Sequence, residues 1–354
     1  MKRILYYSLV DWAWIKQRPQ FVALGLAECG LDVRVVYLWQ YRRKNLQKVN
    51  PEKLVVHPIY RIPPFGERFN IINTINKWIV QHRILQEIED FQPDAIWLSH
   101  PSQYEDIPSD YSGQIIYDCM DDYEVLGTLP QSREKISRLE QRLCSRANLI
   151  FVSSNFLYKK ICTLNPDIIN RVHLIRNGCN GKLSPRISRH HGNRLYVGYV
   201  GTIAEWFDFN LIMESLERIS NLEYYLIGPI CIKDHPKHER IHYLGTIAHD
   251  NLFYTVKEMD CLVMPFRLVH IVKAVHPVKL YEYISWQKNI IVIDYPEISN
   301  FSKFVWTYTN IEEYCSLLTQ LSYTAEPSYS EEDAICFLKK NNWLSRVEEI
   351  LRLL

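Results

Sequence analysis

Short, continuous apolar runs alternate with stretches of helical period along most of this chain. The runs Ile4–Val10, Val33–Leu38, Ala95–Leu98, Ile115–Tyr117 and Leu149–Val152 have the length expected of strands buried on both faces. Helical spacing appears between them at Phe21–Cys29, Ile71–Ile88 and Ile136–Cys144. Alternation of this kind predicts a parallel sheet with right-handed crossovers. At 181–194 the pattern gives way to GKLSPRISRHHGNR, a polar stretch with Gly181, Pro185 and Gly192 that reads as a linker.

A second alternation then starts. Leu195–Val200 and Glu223–Ile227 read as strands, and Asn210–Ile219 and His249–Lys257 as helices. Cys261–Pro265 reads as a buried strand, Pro277 opens a helix, and Ile290–Ile293 forms another apolar run. Over Glu331–Leu354 helical spacing places Phe337, Trp343, Val347, Ile350 and Leu351 on one side. The expected organisation is α/β: a Rossmann-like domain over 1–180, a linker over 181–194, a second such domain over 195–330 and a terminal helix over 331–354. Open sheets of this type bind ligands beyond the carboxyl ends of their strands.

Composition narrows the function classes. At 354 residues and 47% hydrophobic the chain can bury two α/β cores, and a net charge of +1 gives no case for nucleic acid. Nine cysteines without a C-x-x-C pair fit a reducing cytoplasm better than a disulfide framework. The apolar N-terminus is interrupted by Asp11, which favours a first strand over a signal peptide. No apolar run approaches the roughly 20 residues of a membrane span. The expectation is a soluble, cytoplasmic protein.

The richest segment for chemistry is Pro277-Val-Lys279-Leu-Tyr-Glu282-Tyr283. Proline suits the first helical position, and a helix start favours phosphate. A carboxylate one turn further in is able to accept two hydrogen bonds from a ribose diol. An ordinary strand–helix–strand unit explains the same residues.

This segment resembles the P-x-K-x-x-E-Y signature of retaining GT-B glycosyltransferases of the family-four-like type, in which the glutamate holds the ribose of a nucleotide-sugar. Further segments follow the family's order. Val197 to Asp208, with Gly198, Gly201 and Thr202, resembles the opening strand and glycine loop of the donor domain. Leu226-Ile-Gly228-Pro229 and Tyr243-Leu244-Gly245-Thr-Ile247 resemble segments flanking the nucleobase, and Arg176-Asn177-Gly178 resembles the turn closing the first domain. Trp14-Ile-Lys-Gln17-Arg18-Pro19-Gln20 and Ile116-Tyr117-Asp118-Cys119-Met-Asp121-Asp122 are similar to bacterial enzymes building surface polysaccharides, including the teichuronic acid type.

The resemblance implies a GT-B architecture: two Rossmann-like domains, a donor/acceptor cleft between them, and a C-terminal helix crossing back to the first. It implies donor binding by Gly201, Thr202, Ile247, His276, Lys279 and Glu282. Gln17 and Arg18 then fall on the acceptor side, with His100, Asp118, Asp121 and Asp122 as the catalytic and positioning candidates. From the residues alone, a histidine before Pro101 is equally a loop residue, and the three aspartates are equally a solvated helix start, since aspartate caps helices well. No metal is expected, since the sequence lacks the D-x-D motif of metal-dependent GT-A enzymes. No cofactor is expected beyond a nucleotide-sugar substrate, a UDP-sugar first among the choices. Ala274 stands where many retaining members carry a sugar-contacting glutamate. The loop after the first donor strand offers Glu205, Trp206 and Asp208 instead of an Arg/Lys clamp, leaving Lys273, His276 or Lys279 to compensate.

Residues 41–83 hold nine Lys/Arg against two Glu, a local charge of +7, with Tyr60, Phe65, Phe69 and Trp78 interleaved. Such a segment suits an anionic bilayer surface and equally a solvated face. The expected function is transfer of a sugar to a lipid-linked saccharide at the inner face of the plasma membrane. Two rivals fit the same residues: a sugar-nucleotide epimerase of this fold, and a non-catalytic relative that binds nucleotide or glycan.

Overall fold

The computed structural model describes residues 2–13, 16–40, 54–63, 70–126, 130–187, 193–322 and 326–354. The chain divides into two compact units, Met1–Gly178 with Trp343–Leu354, and Cys179–Asn342.

The first unit is built on a seven-stranded parallel sheet. Its strands are β1 (Arg3–Ser8), β2 (Asp32–Leu38), β3 (Val55–Ile59), β4 (Ala95–Leu98), β5 (Gln114–Cys119), β6 (Leu149–Val152) and β7 (Val172–Leu174), in the order β3-β2-β1-β4-β5-β6-β7. Side chains alternate across β1 as the pleat requires. Leu5 and Tyr7 join the core under the helix Asn70–Phe91, while Ile4 and Tyr6 join the core under Arg18–Glu28. That second core includes Val347 and Ile350 of the helix Trp343–Leu351. Gly25 permits the close approach of this helix, because a Cβ there would lie 2.5 Å from Cγ2 of Val347. Phe21 and Trp343 stack beside it at 4.7 Å.

The second unit carries β8 (Leu195–Val200), β9 (Leu222–Ile227), β10 (Ile241–Gly245), β11 (Cys261–Met264), β12 (Asn289–Ile293) and β13 (Trp306–Tyr308). They form one parallel sheet in the order β10-β9-β8-β11-β12-β13. Both sheets therefore reverse direction between a first and a fourth strand, at β1/β4 and at β8/β11, and loops from opposite sides of the sheet diverge there.

Three local expectations change. β3 falls inside the stretch read as a basic surface. It pairs with β2 because Glu87, buried beneath, takes Arg34 at 3.1 Å, His57 at 2.7 Å and Arg83 at 2.7 Å. The polar stretch after residue 180 follows the second unit: Cys179 N–H donates to Asn341 O at 3.0 Å, and Ser184 N–H to Ser285 O at 2.8 Å. Residues 188–192 lie outside the described residues. The tail is two helices, Glu331–Lys340 and Trp343–Leu351, because the turn at Asn341-Asn342 pairs back with Cys179. The first belongs to the second unit and the other to the first unit.

Candidate functional site

In the second unit the loops after β8, β9 and β10 are held side by side by backbone bonds. Gly201 N–H donates to Ile227 O at 2.9 Å, and Gly228 N–H to Gly245 O at 2.8 Å. Gly228 has φ +140°, and a Cβ there would sit 2.0 Å from the Gly201 carbonyl oxygen, so only glycine fits. The carboxyl ends of three adjacent strands thus present bare backbone. Thr202 is half-buried in this row, and its carbonyl accepts the Tyr199 hydroxyl at 2.9 Å. Ile247, two residues beyond Gly245, is half-buried against the core.

Glu282 is carried to the same end of the sheet by the helix Lys279–Ser285. The helix is anchored by its neighbour Tyr283, which is fully buried and accepts the Val200 N–H at 2.9 Å. This fixes Glu282 relative to the end of β8 and gives the Tyr of the E-Y pair a positioning role. The Glu282 carboxylate is half-buried, with Lys279 Nζ at 2.8 Å and His249 Nε2 at 3.4 Å. Burial alone would raise its pKa, but the His249 hydrogen bond and the Lys279 charge outweigh it and hold the carboxyl below its usual range. The same hydrogen bond raises His249 above the ordinary histidine value, against its own partial burial.

Two residues change the expected donor set. Arg267, in the loop after β11, reaches the loop after β8: its guanidinium donates to Glu205 O, and its backbone N–H to Trp206 O at 2.8 Å. It is exposed and supplies the cation that the β8 loop itself lacks. A separation of 62 positions from Glu205 left no signal in the sequence. His276 is corrected in the other direction. It is fully buried, with its ring 5.7 Å from both Tyr281 and Phe301, and so packs in an aromatic core without facing solvent. Lys273 is exposed and Ala274 fully buried.

In the first unit the candidate acids separate by environment. Asp118, at the end of β5, is 0% exposed and bonded through both oxygens to Arg18, which is itself 4% exposed. Arg18 Nε lies 2.9 and 3.0 Å from the two oxygens, and its Nη1 donates to Ile175 O at 2.7 Å and Asn177 Oδ1 at 3.3 Å. Arg18, expected on the acceptor side, and Asp118, expected in catalysis, therefore form one buried clamp joining β5, the first helix and the chain after β7. Asp122 is also buried, 2.5 Å from Lys160, which Glu124 and Glu140 approach at 3.3 and 3.5 Å. Asp121 differs. It is half-buried, its backbone carbonyl accepts the Cys119 thiol at 3.6 Å, and burial, with Asp122 nearby, raises its pKa.

His100 follows β4 on the neighbouring loop. Its Nδ1 accepts the Ser102 N–H at 3.1 Å, and its ring meets Tyr123 edge-on at 4.4 Å. Burial lowers its pKa to about 4, so it is neutral at physiological pH, with Nε2 carrying the proton. Gln17 precedes the first helix, and its backbone N–H is capped by Gln20 Oε1 at 3.0 Å. Trp14 and Ile15 of the same motif lie outside the described residues, as do 41–53 and 64–69 of the basic segment. Among the described residues, no group of three or more His, Cys, Asp or Glu side chains is arranged to hold a metal. No helix there is long and apolar enough to cross a membrane.

No family model matches the sequence. TuaH of Bacillus subtilis (strain 168), a proposed teichuronic acid biosynthesis glycosyltransferase, is 24% identical over 256 residues, spanning 64% of this chain and 64% of TuaH. The aligned part is thus under two thirds of that relative's length. Anabaena HepE (Alr3699), solved with UDP and glucose, matches at TM-score 0.70 and 13% identity, covering 100% of this chain and 99% of HepE. Sucrose-phosphate synthase (tll1590) from Thermosynechococcus elongatus matches at TM-score 0.69 and 11% identity, covering 100% and 98%. Two doubly wound parallel sheets, matched over the whole length of such structures, give this chain the GT-B fold of glycosyltransferases.

Proposed function

We propose that this protein is a glycosyltransferase that moves a sugar from a nucleotide-sugar to a saccharide acceptor in bacterial surface-polysaccharide synthesis. One observation carries the proposal: Glu282, ionised and half-buried, is anchored through Tyr283 to the strand end where the glycine loops expose their backbone. The carboxylate would accept the two ribose hydroxyls. Gly201, Thr202, Lys279 and Arg267 would meet the diphosphate, with Ile247 beside the base. UDP is the nucleotide of choice, in keeping with the UDP bound by HepE.

On the acceptor side, Asp121 and neutral His100 end neighbouring strands. As in the resembled family, the leaving diphosphate takes the acceptor's proton, and the protein positions groups and stabilises charge. We expect retention of configuration without a metal ion. A lipid-linked acceptor at an anionic bilayer fits the helix Asn70–Phe91, where Ile71 is 78% and Trp78 63% exposed beside Lys77. Equal co-sedimentation with neutral and anionic vesicles would exclude that docking.

The donor site is tested by thermal shift with UDP, GDP, ADP, dTDP and CMP, with and without Mg²⁺, on wild type and Glu282→Ala. Loss of charge-assisted bonds, worth about 1.5–3 kcal/mol, lowers affinity roughly 10- to 150-fold. Stabilisation by one nucleotide, lost in the variant and independent of metal, is the expected result; unchanged affinity in a folded variant removes the ribose assignment. A second reading, nucleotide binding without transfer, is favoured by Ala274, buried where many family members carry glutamate. Tight binding without turnover on any acceptor would select it.

A further inference from the structure

The segment Ser99-His100-Pro101-Ser102-Gln103 follows β4, whose ladder with β1 ends at the pair Tyr7 and Leu98. Pro101 restricts its predecessor to extended backbone, and His100 has φ −153° and ψ 141°. Beyond the last ladder pair the two chains diverge, so their backbone groups lose sheet partners and need others. One side chain meets most of that need. Gln103, fully buried, accepts the N–H groups of Ser99 and His100 at Oε1, both at 2.8 Å, and donates from Nε2 to Tyr7 O at 2.8 Å. Its own backbone N–H donates to His100 O at 3.1 Å. The remaining group, Ser99 O, accepts the Tyr123 hydroxyl at 2.6 Å. All four backbone polar groups of Ser99 and His100 are thereby bonded, three of them by Gln103.

The His100 ring is held as closely as its backbone. Nδ1 accepts the Ser102 N–H at 3.1 Å, with Ser102 Oγ 2.9 Å away, and the Tyr123 ring meets it edge-on. Nε2, which carries the proton, has no protein partner among the described residues, and the residue is half-buried. Capping of the short helix Pro101–Asp106 accounts for the bond from Gln103 to the His100 N–H. It does not account for the bonds to Ser99 and Tyr7, which tie the end of β4 to the end of β1. Those bonds fix where the one unpaired donor of this loop points, and a group that meets substrate needs its neighbours locked in this way.

We propose that Gln103 is a positioning residue: it sets the direction and the tautomer of His100, so that Nε2–H is presented to a substrate oxygen. The part this plays in sugar transfer rests on the glycosyltransferase reading; the geometry does not. Gln103 itself, fully buried, touches no ligand. Without its amide, Tyr7 O and two N–H groups need water instead, the β4 end parts from the β1 end, and the ring turns out of its contacts with Ser102 and Tyr123.

The test is NMR of the full chain with nitrogen-labelled histidine, without nucleotide, on wild type, Gln103→Met and Gln103→Asn, with His100 assigned by its absence from His100→Gln. Methionine removes the amide at similar volume. Asparagine keeps it and folds more readily, but one methylene shorter it cannot reach both strand ends. Burial holds the wild-type His100 pKa at about 4. In the variants the ring gains solvent, so its titration midpoint should rise above roughly 5, toward the ordinary histidine value, and both neutral tautomers should appear. A role confined to stability lowers Tm and leaves midpoint and tautomer where they were. In turnover of UDP-glucose, followed as UDP release, the displaced donor should cost kcat roughly 10- to 100-fold, while UDP-induced thermal stabilisation is kept because Glu282 and the glycine loops are untouched. Folded variants whose His100 keeps its midpoint and tautomer, or loses both at unchanged kcat, overturn the proposal. A wild type that neither turns over UDP-glucose nor is stabilised by UDP counts against the glycosyltransferase reading, and the His100 spectra still decide the positioning.

Discussion

Asp118→Asn decides between a catalytic and a structural role for the acid that the sequence places first in its cluster. In the structure both Asp118 oxygens face a buried Arg18, whose Nη1 also donates to Ile175 O. Replacing the carboxylate with an amide leaves the guanidinium buried without its counter-charge. Breaking one side of such a pair costs about 3–5 kcal/mol. That is a large share of the roughly 5–15 kcal/mol that keeps a domain folded, and for a unit of this size lowers Tm by roughly 6–20 °C. Arg18→Met should cost a similar amount. The double variant Arg18→Met/Asp118→Leu removes both charges and recovers part of the loss, with Ile175 O and Asn177 still lacking their donor. Urea unfolding of wild type, both singles and the double should give a coupling of at least roughly 2 kcal/mol. Single losses that add to within about 0.5 kcal/mol would refute the clamp. So would an Asp118→Asn variant of full stability that is inactive, because only a group touching substrate behaves in that way.

Tyr283→Phe should leave the buried Val200 N–H without its acceptor, costing about 1–3 kcal/mol in urea unfolding and weakening nucleotide binding although no ligand atom is touched; unchanged stability would place the anchor elsewhere. Gly228→Ala should destabilise the second unit by more than about 1 kcal/mol and abolish nucleotide-induced thermal stabilisation, since the added Cβ meets the Gly201 carbonyl. His100, with its folded pKa depressed to about 4, binds its proton more readily unfolded; its contribution is complete above pH 6.5 and is lost as pH falls toward 4. His100→Gln should flatten the stability profile over that window, and an NMR titration midpoint near 6.5 would contradict the burial.

How much of this was legible beforehand follows from the range of each interaction. Ala95–Leu98, Leu149–Val152 and Leu195–Val200 were readable as strands to the residue, because doubly buried parallel strands advertise themselves as unbroken apolar runs. Glycine and proline punctuation likewise marked Gly201, Gly228, Gly245 and Pro277. β3 was hidden, because Val55–Ile59 holds His57 and Pro58 and sits beside a basic stretch; as an edge strand it has one sheet neighbour and tolerates both. The end of the last helix pair was equally hidden, since helical spacing runs through Asn341-Asn342 and only the pairing with Cys179 breaks it.

By itself the sequence determined the alternation of strand and helix and the order of the glycine loops and the Pro277–Tyr283 segment, because periodicity and turn chemistry act over a few residues. Tertiary structure alone decided what each charged side chain does. It joined Arg18 to Asp118 across 100 positions and so turned two expected site residues into a clamp. It brought Arg267 to the loop after β8, and enclosed His276 among aromatic rings. A charge's role depends on burial and on its nearest opposite charge, and sheet order, not sequence spacing, sets both.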